Sequence, residues 1–145
     1  MTAYLLDVNV LLALCDPRHV HHEAAHGWFA DVAAAGWATC PLTENAFVRI
    51  ASQPAYPNRP GPPPVVAALL RRFRALPGHR FWPDSVSLFD EGLFVLGGSL
   101  SPGQLTDVYL LGLAARHGGC LATFDEGIPA GVVTGGTTAL CVIPA

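Results

Sequence analysis

Four acidic residues, Asp7, Glu44, Asp107 and Asp125, fall where apolar segments begin or end. Asp7 interrupts the apolar run of residues 4–15, Y-L-L-D-V-N-V-L-L-A-L-C, in which Asn9 is the only other break. An ionised Asp in such surroundings is costly unless a partner or a metal neutralises it. Asp107 shares a helical face with Leu110, Leu111 and Ala114, and Glu44 shares one with Phe47, Val48 and Ala51. Each acid therefore points with core-facing residues. Capping and dipole complementation, at about 0.3–1 kcal/mol each, account for either acid alone but poorly for all four.

Carboxylates gathered without basic partners repel one another, so some stay protonated unless cations are present. Mg²⁺ or Mn²⁺ suits such a set, since hard cations take oxygen ligands and Mg²⁺ commonly uses one or two carboxylates, waters and substrate phosphate. The matching chemistry is phosphodiester hydrolysis, in which metal activates water and stabilises the leaving oxygen with no obligatory histidine base.

The elements that must position these acids follow from the apolar pattern. Strands are expected at residues 5–6, 37–40, 80–82, 120–124 and 139–143, and helices at 9–15, 21–35, 43–52, 65–76, 87–96 and 104–117. Residues 53–64 hold six of the thirteen prolines and read as an ordered or semi-ordered surface loop. Strands alternating with helices imply a single α/β domain, 1–145, with a central parallel sheet between two helix layers. In such a sheet the strand C-termini and following helix N-termini meet along one edge, where ligands bind. Asp7, Glu44, Asp107 and Asp125 are all expected there.

Composition narrows the alternatives. All eight basic residues are arginines, and the absence of lysine excludes a Schiff base and a standard P-loop. A net charge of −3 argues against binding nucleic acid through overall charge, yet Arg59, Arg71, Arg72, Arg74 and Arg80 form a local basic window. Of these, Arg71, Arg72, Arg74 and Arg80 are candidate contacts for a nucleic acid or a protein partner. A hydrophobic content of 51% with mean hydropathy +0.38 points to a subunit interface. With no apolar stretch near roughly 18 residues and no leader segment, a cytoplasmic protein is expected, its four dispersed cysteines buried free thiols.

Two rival motifs require comment. His22-Glu23-Ala24-Ala25-His26 is a literal H-E-x-x-H, which on a helix can hold zinc in a metalloprotease. Helical phase, however, puts Ala24, Ala25, Trp28, Phe29 and Val32 on the apolar face and the two histidines and Glu23 on the polar one. Asp7 after a first strand could also begin a haloacid-dehalogenase-like phosphatase. That chemistry wants a second Asp two residues on and a later lysine, and neither is present.

The segments L-L-D-V-N-V-L-L-A-L (5–14), P-L-T-E-N-A-F-V-R-I (41–50), L-T-D-V-Y-L-L-G-L-A (105–114) and A-T-F-D (122–125) resemble the motifs of PIN-domain ribonucleases. The closer likeness is to VapC toxins of VapBC toxin-antitoxin modules. The resemblance implies a three-layer α/β/α PIN-like domain, Mg²⁺- or Mn²⁺-dependent cleavage of structured RNA such as tRNA or rRNA, a homodimer, and a cognate VapB-type antitoxin. By motif position Asp7, Glu44, Asp107 and Asp125 carry over as the catalytic, metal-binding acids. Asn9 and Thr123 match supporting polar positions, Glu126 is a candidate outer contact because it adjoins Asp125, and Val8 departs from relatives that have a hydroxyl there. A non-catalytic PIN-like interaction module, in which the acids only cap helices, is the remaining alternative.

Overall fold

The computed structural model describes residues 2–145, built around a five-stranded parallel sheet in the order β3-β2-β1-β4-β5. The central strand β1 (Tyr4–Leu6) lies between β2 (Trp37–Thr39) and β4 (Cys120–Thr123), with β3 (His79–Phe81) and β5 (Leu140–Val142) at the edges. Successive side chains of a strand face opposite ways. Leu5, Ala38 and Leu121 thus enter one apolar cluster, and Leu6, Trp37 and Ala122 the other.

Helix α5 (Leu105–Arg116) and the short α6 (Gly136–Ala139) cover the first face. The second is covered by α1 (Val8–Cys15), α2 (His22–Val32), α3 (Pro41–Ala51) and α4 (Pro63–Arg74). The result is the expected three-layer α/β/α architecture. Leu5 and Leu6 are both 0% exposed, and burying such a side chain contributes about 1.5–3 kcal/mol. Among the described residues no helix is long and apolar enough to cross a membrane.

Two elements differ from expectation in instructive ways. Helix α3 begins at Pro41, where a missing N–H is harmless, and Thr43 serves from its third position. Its hydroxyl accepts from the Cys40 N–H at 3.1 Å. The larger difference is residues 87–96, which form turns instead of a helix. Ser87 Oγ accepts the Phe89 N–H and Asp90 Oδ1 accepts the Gly92 N–H, so side chains compete with helical bonding. Leu93 and Phe94, adjacent in sequence, are both buried, and the Phe94 ring fills the space over Gly112 of α5.

The proline-rich loop 53–64 is ordered by Asp16, whose Oδ2 accepts from Tyr56 Oη at 2.8 Å and Asn58 Nδ2 at 2.9 Å. Gly78 supports the turn into β3. Its φ of +89° is in the region that favours glycine, and a Cβ there would come within 2.5 Å of the Ala33 carbonyl oxygen.

Candidate metal centre

Because the strands are parallel, their C-termini reach one edge together. Asp7 follows β1, Asp125 stands just past β4, Asp107 lies in the first turn of α5, and Glu44 in the first turn of α3 after β2. Asp7 is only 3% exposed. Its carbonyl oxygen accepts the N–H groups of Val10 and Leu11, starting α1, while its carboxylate turns to the buried Thr123. Thr123 Oγ donates to Asp7 Oδ2 at 2.9 Å and accepts the Asp125 N–H at 3.0 Å, so one hydroxyl positions two acids. Asp125 Oδ1 in turn accepts the Gly127 N–H at 2.7 Å, closing the loop after β4.

The electrostatics show three acids acting on one another. Burial raises the Asp7 carboxyl above its usual range, Thr123 and the backbone at Val8 and Asn9 lower it, and Asp125 raises it further. Asp107 is pushed up to about 6, by burial first and then by repulsion from Asp7 and Asp125. Such a cluster favours a neutralising cation.

Among the described residues no three His, Cys, Asp or Glu side chains are already gathered at ligand distance. The donor set nevertheless fits a hard divalent cation, all carboxylate oxygen with a hydroxyl behind it. Asp7, Asp107 and Asp125 would hold it. Asn9 is exposed in the first turn of α1, and Glu126 is exposed beside Asp125.

Glu44 reaches the same edge with a different set of partners. Its Oε2 accepts from Thr39 Oγ at 2.7 Å and lies 3.2 Å from Arg74 Nε. Thr39 Oγ is also 2.8 Å from His79 Nε2. Since the Thr39 proton goes to Glu44, His79 Nε2 must carry a hydrogen and donate it. Burial, then Arg74, hold His79 below the usual imidazole range, against an opposing pull from Glu44, which suits that neutral tautomer.

The four candidate arginines do not form one patch. Arg71 and Arg74 line a cleft with Glu44, and Arg72 is exposed outside it. The Arg80 guanidinium packs over Gly36, before β2, at the opposite end of the sheet from the acids. Thr39 and His79 were not singled out from sequence. The signal for Thr39 was available: like Thr123, it is a polar residue ending an apolar strand.

The H-E-x-x-H segment has a structural task. His22 Nδ1 is 2.7 Å from the Ala13 carbonyl oxygen and His26 Nε2 is 3.0 Å from that of Leu14. Both rings thereby cap carbonyls left open at the end of α1. Glu23 and His26 are exposed, and no third ligand joins them among the described residues.

The raised Asp107 carboxyl gives a stability prediction. An acid with a raised folded-state pKa is stabilising only while protonated, so the fold loses stability as pH rises from about 4 through 6. Asp107→Asn removes that loss. In EDTA at pH 8 it raises stability by about 1 kcal/mol, after discounting for a half-exposed group, and near pH 4 it has no effect. Denaturant unfolding at the two pH values measures this.

The fold and the ordered set of acids define a class. The PIN domain family matches residues 4–130, and the chain belongs to that family. Within it the chain stands with the VapC ribonucleases. It is 46% identical over 137 residues to Ribonuclease VapC44 of Mycobacterium tuberculosis (strain ATCC 25618 / H37Rv), covering 92% of this chain and 93% of that one. To Ribonuclease VapC39 of the same strain it is 44% identical over 128 residues, covering 88% and 91%. Among solved structures it is similar in fold to a chain from VapBC2 of Rickettsia felis bound to a DNA fragment from their promoter. That likeness has a TM-score of 0.55 at 12% identity and covers 88% of this chain and 94% of that chain.

Proposed function

We propose that the chain is a Mg²⁺- or Mn²⁺-dependent endoribonuclease, the toxin of a VapBC-type pair, that cleaves structured RNA such as tRNA or rRNA. The observation that carries this reading is the convergence of Asp7, Asp107 and Asp125 on one sheet edge, where burial and repulsion from the other two raise Asp107 to about 6. The ribonuclease names of the VapC relatives support it. Asp7, Asp107 and Asp125 would hold the divalent cation, which when bound would supply an activated water and offset charge on the phosphate.

The chain's own residues supply the frame. Thr123 fixes the Asp7 carboxylate and the Asp125 backbone together, and the first turn of α5 brings Asp107 to them. Glu44 acts beside them, through water or directly, with Asn9 and Glu126 as outer contacts. In this reading the protein is a cytoplasmic homodimer and a VapB-type antitoxin restrains it. A non-catalytic role gives no reason to sink Asp7 to 3% exposure beside two other acids.

The test is incubation of total cellular RNA with the purified chain in Mg²⁺, in EDTA, and in EDTA followed by excess Mn²⁺, with ends mapped afterwards. Discrete cleavage in the first and third conditions is expected. Equal cleavage in EDTA would overturn the metal-dependent reading.

A further inference from the structure

The cleft between α3 and α4 holds charge of the opposite sign to the acid cluster. Glu44, Val48, Ala67, Leu70, Arg71 and Arg74 line a cavity of about 170 Å³ there. Arg71 and Arg74 are three residues apart on α4 and so share a face. Arg74 is held on two sides. Its Nε lies 3.2 Å from Glu44 Oε2, and its Cζ sits 5.7 Å from the centre of the Phe81 ring.

Glu44 is itself fixed by the Thr39 hydroxyl at 2.7 Å. Pairing at Nε uses one of the five guanidinium donors and leaves four for an acceptor entering the cleft. A basic residue near the end of a helix also complements the dipole, and Arg72 on the same turn does so equally. Dipole complementation therefore does not account for the pair that faces the cleft.

We infer that Arg71 and Arg74 form a phosphate-binding subsite for RNA, which takes a backbone phosphate flanking the one cleaved, with Glu44 as the positioning residue that aims Arg74. This rests on the proposed ribonuclease activity. The cavity suits a phosphate-sized group and falls well below the roughly 300 Å³ at which drug-sized ligands begin to fit. An arginine fork matches a phosphate's two oxygens, and a guanidinium already held by a carboxylate and a ring loses little freedom on binding. Glu44 connects the subsite to the edge that carries Asp7, because α3 follows β2 and β2 pairs with β1.

The test measures binding of bulk transfer RNA in EDTA over a range of salt concentrations, for the wild type and for Arg71→Ala, Arg72→Ala, Arg74→Ala and Arg80→Ala. Arg71→Ala and Arg74→Ala should each weaken binding by about five- to tenfold and flatten the salt slope by about 0.7–0.9. Arg72→Ala and Arg80→Ala should stay within about twofold, and Arg74→Lys should recover part of the loss. Glu44→Ala, which leaves Arg74 without its carboxylate partner, should weaken binding roughly threefold.

Equal losses at all four arginines would overturn the subsite, since diffuse charge would then be enough. So would unchanged RNA binding in Arg71→Ala and Arg74→Ala, including the case in which only binding of a protein antitoxin suffers. Failure here with wild-type RNA cleavage intact removes the subsite alone. Failure of cleavage with these binding losses present removes the catalytic reading alone.

Discussion

Asp7→Asn and Asp107→Asn should each reduce RNA cleavage on the order of a thousandfold or more, with the fold intact. The substitution is nearly isosteric, and Asn at position 7 still offers an oxygen to the Thr123 hydroxyl that lies 2.9 Å from Asp7. Only the negative charge is lost. That charge is what a cation needs from a side chain held at 3% exposure, and its removal from the cluster also relieves the repulsion that raises Asp107. The variants should therefore unfold at or above the wild-type denaturant midpoint without metal while losing activity. Initial rates on total RNA, with circular dichroism as the folding control, measure the effect. Cleavage within tenfold of wild type in both variants would remove these acids from the chemistry.

The second large effect is expected at Thr123, which touches no substrate in this account. Thr123→Val deletes the donor to Asp7 Oδ2 and the acceptor of the Asp125 N–H while keeping the side-chain volume. Residues behind a metal's ligands typically contribute 10- to 100-fold to affinity or activity, so cleavage should fall by about that factor. Leaving Asp7 without its buried partner should also destabilise the fold by about 1–3 kcal/mol. Thr123→Ser keeps the hydroxyl and should restore most of the activity. Equal loss in Ser and Val would mean that the methyl group, and hence packing, is what matters at this position.

Much of this arrangement was visible in the sequence because it depends on local periodicity. The offsets that grouped Asp107 with Leu110, Leu111 and Ala114 describe α5 as it stands, where all three apolar residues are at most 1% exposed. The strand at residues 5–6 was visible because apolar residues at successive positions suit burial on both faces, and the structure extends it to Tyr4. What was not visible depends on contacts between distant segments. Nothing near Glu44 in the chain indicates Arg74, which arrives from α4, or His79, which arrives from β3.

The H-E-x-x-H spacing likewise could not disclose that its histidines cap α1, because that depends on how α1 and α2 pack. Residues 87–96 were misread as a helix for a related reason. The apolar residues there are interrupted by Asp90, Glu91 and Gly92, and Ser87, Asp90 and the packing of Phe94 over Gly112 decide the outcome. The basic window was divided in the same way: adjacency in sequence grouped Arg80 with Arg71 and Arg74, whereas β3 carries its guanidinium to Gly36.

The central claim is that Asp7, Asp107 and Asp125 hold a divalent cation, and calorimetric titration of the chain with Mn²⁺ tests it most directly. The account predicts saturable binding in the wild type at pH 8, weakened by about tenfold or more in Asp7→Asn, Asp107→Asn and Asp125→Asn, and unchanged in His22→Ala. Unaltered Mn²⁺ affinity in the three Asn variants would contradict it.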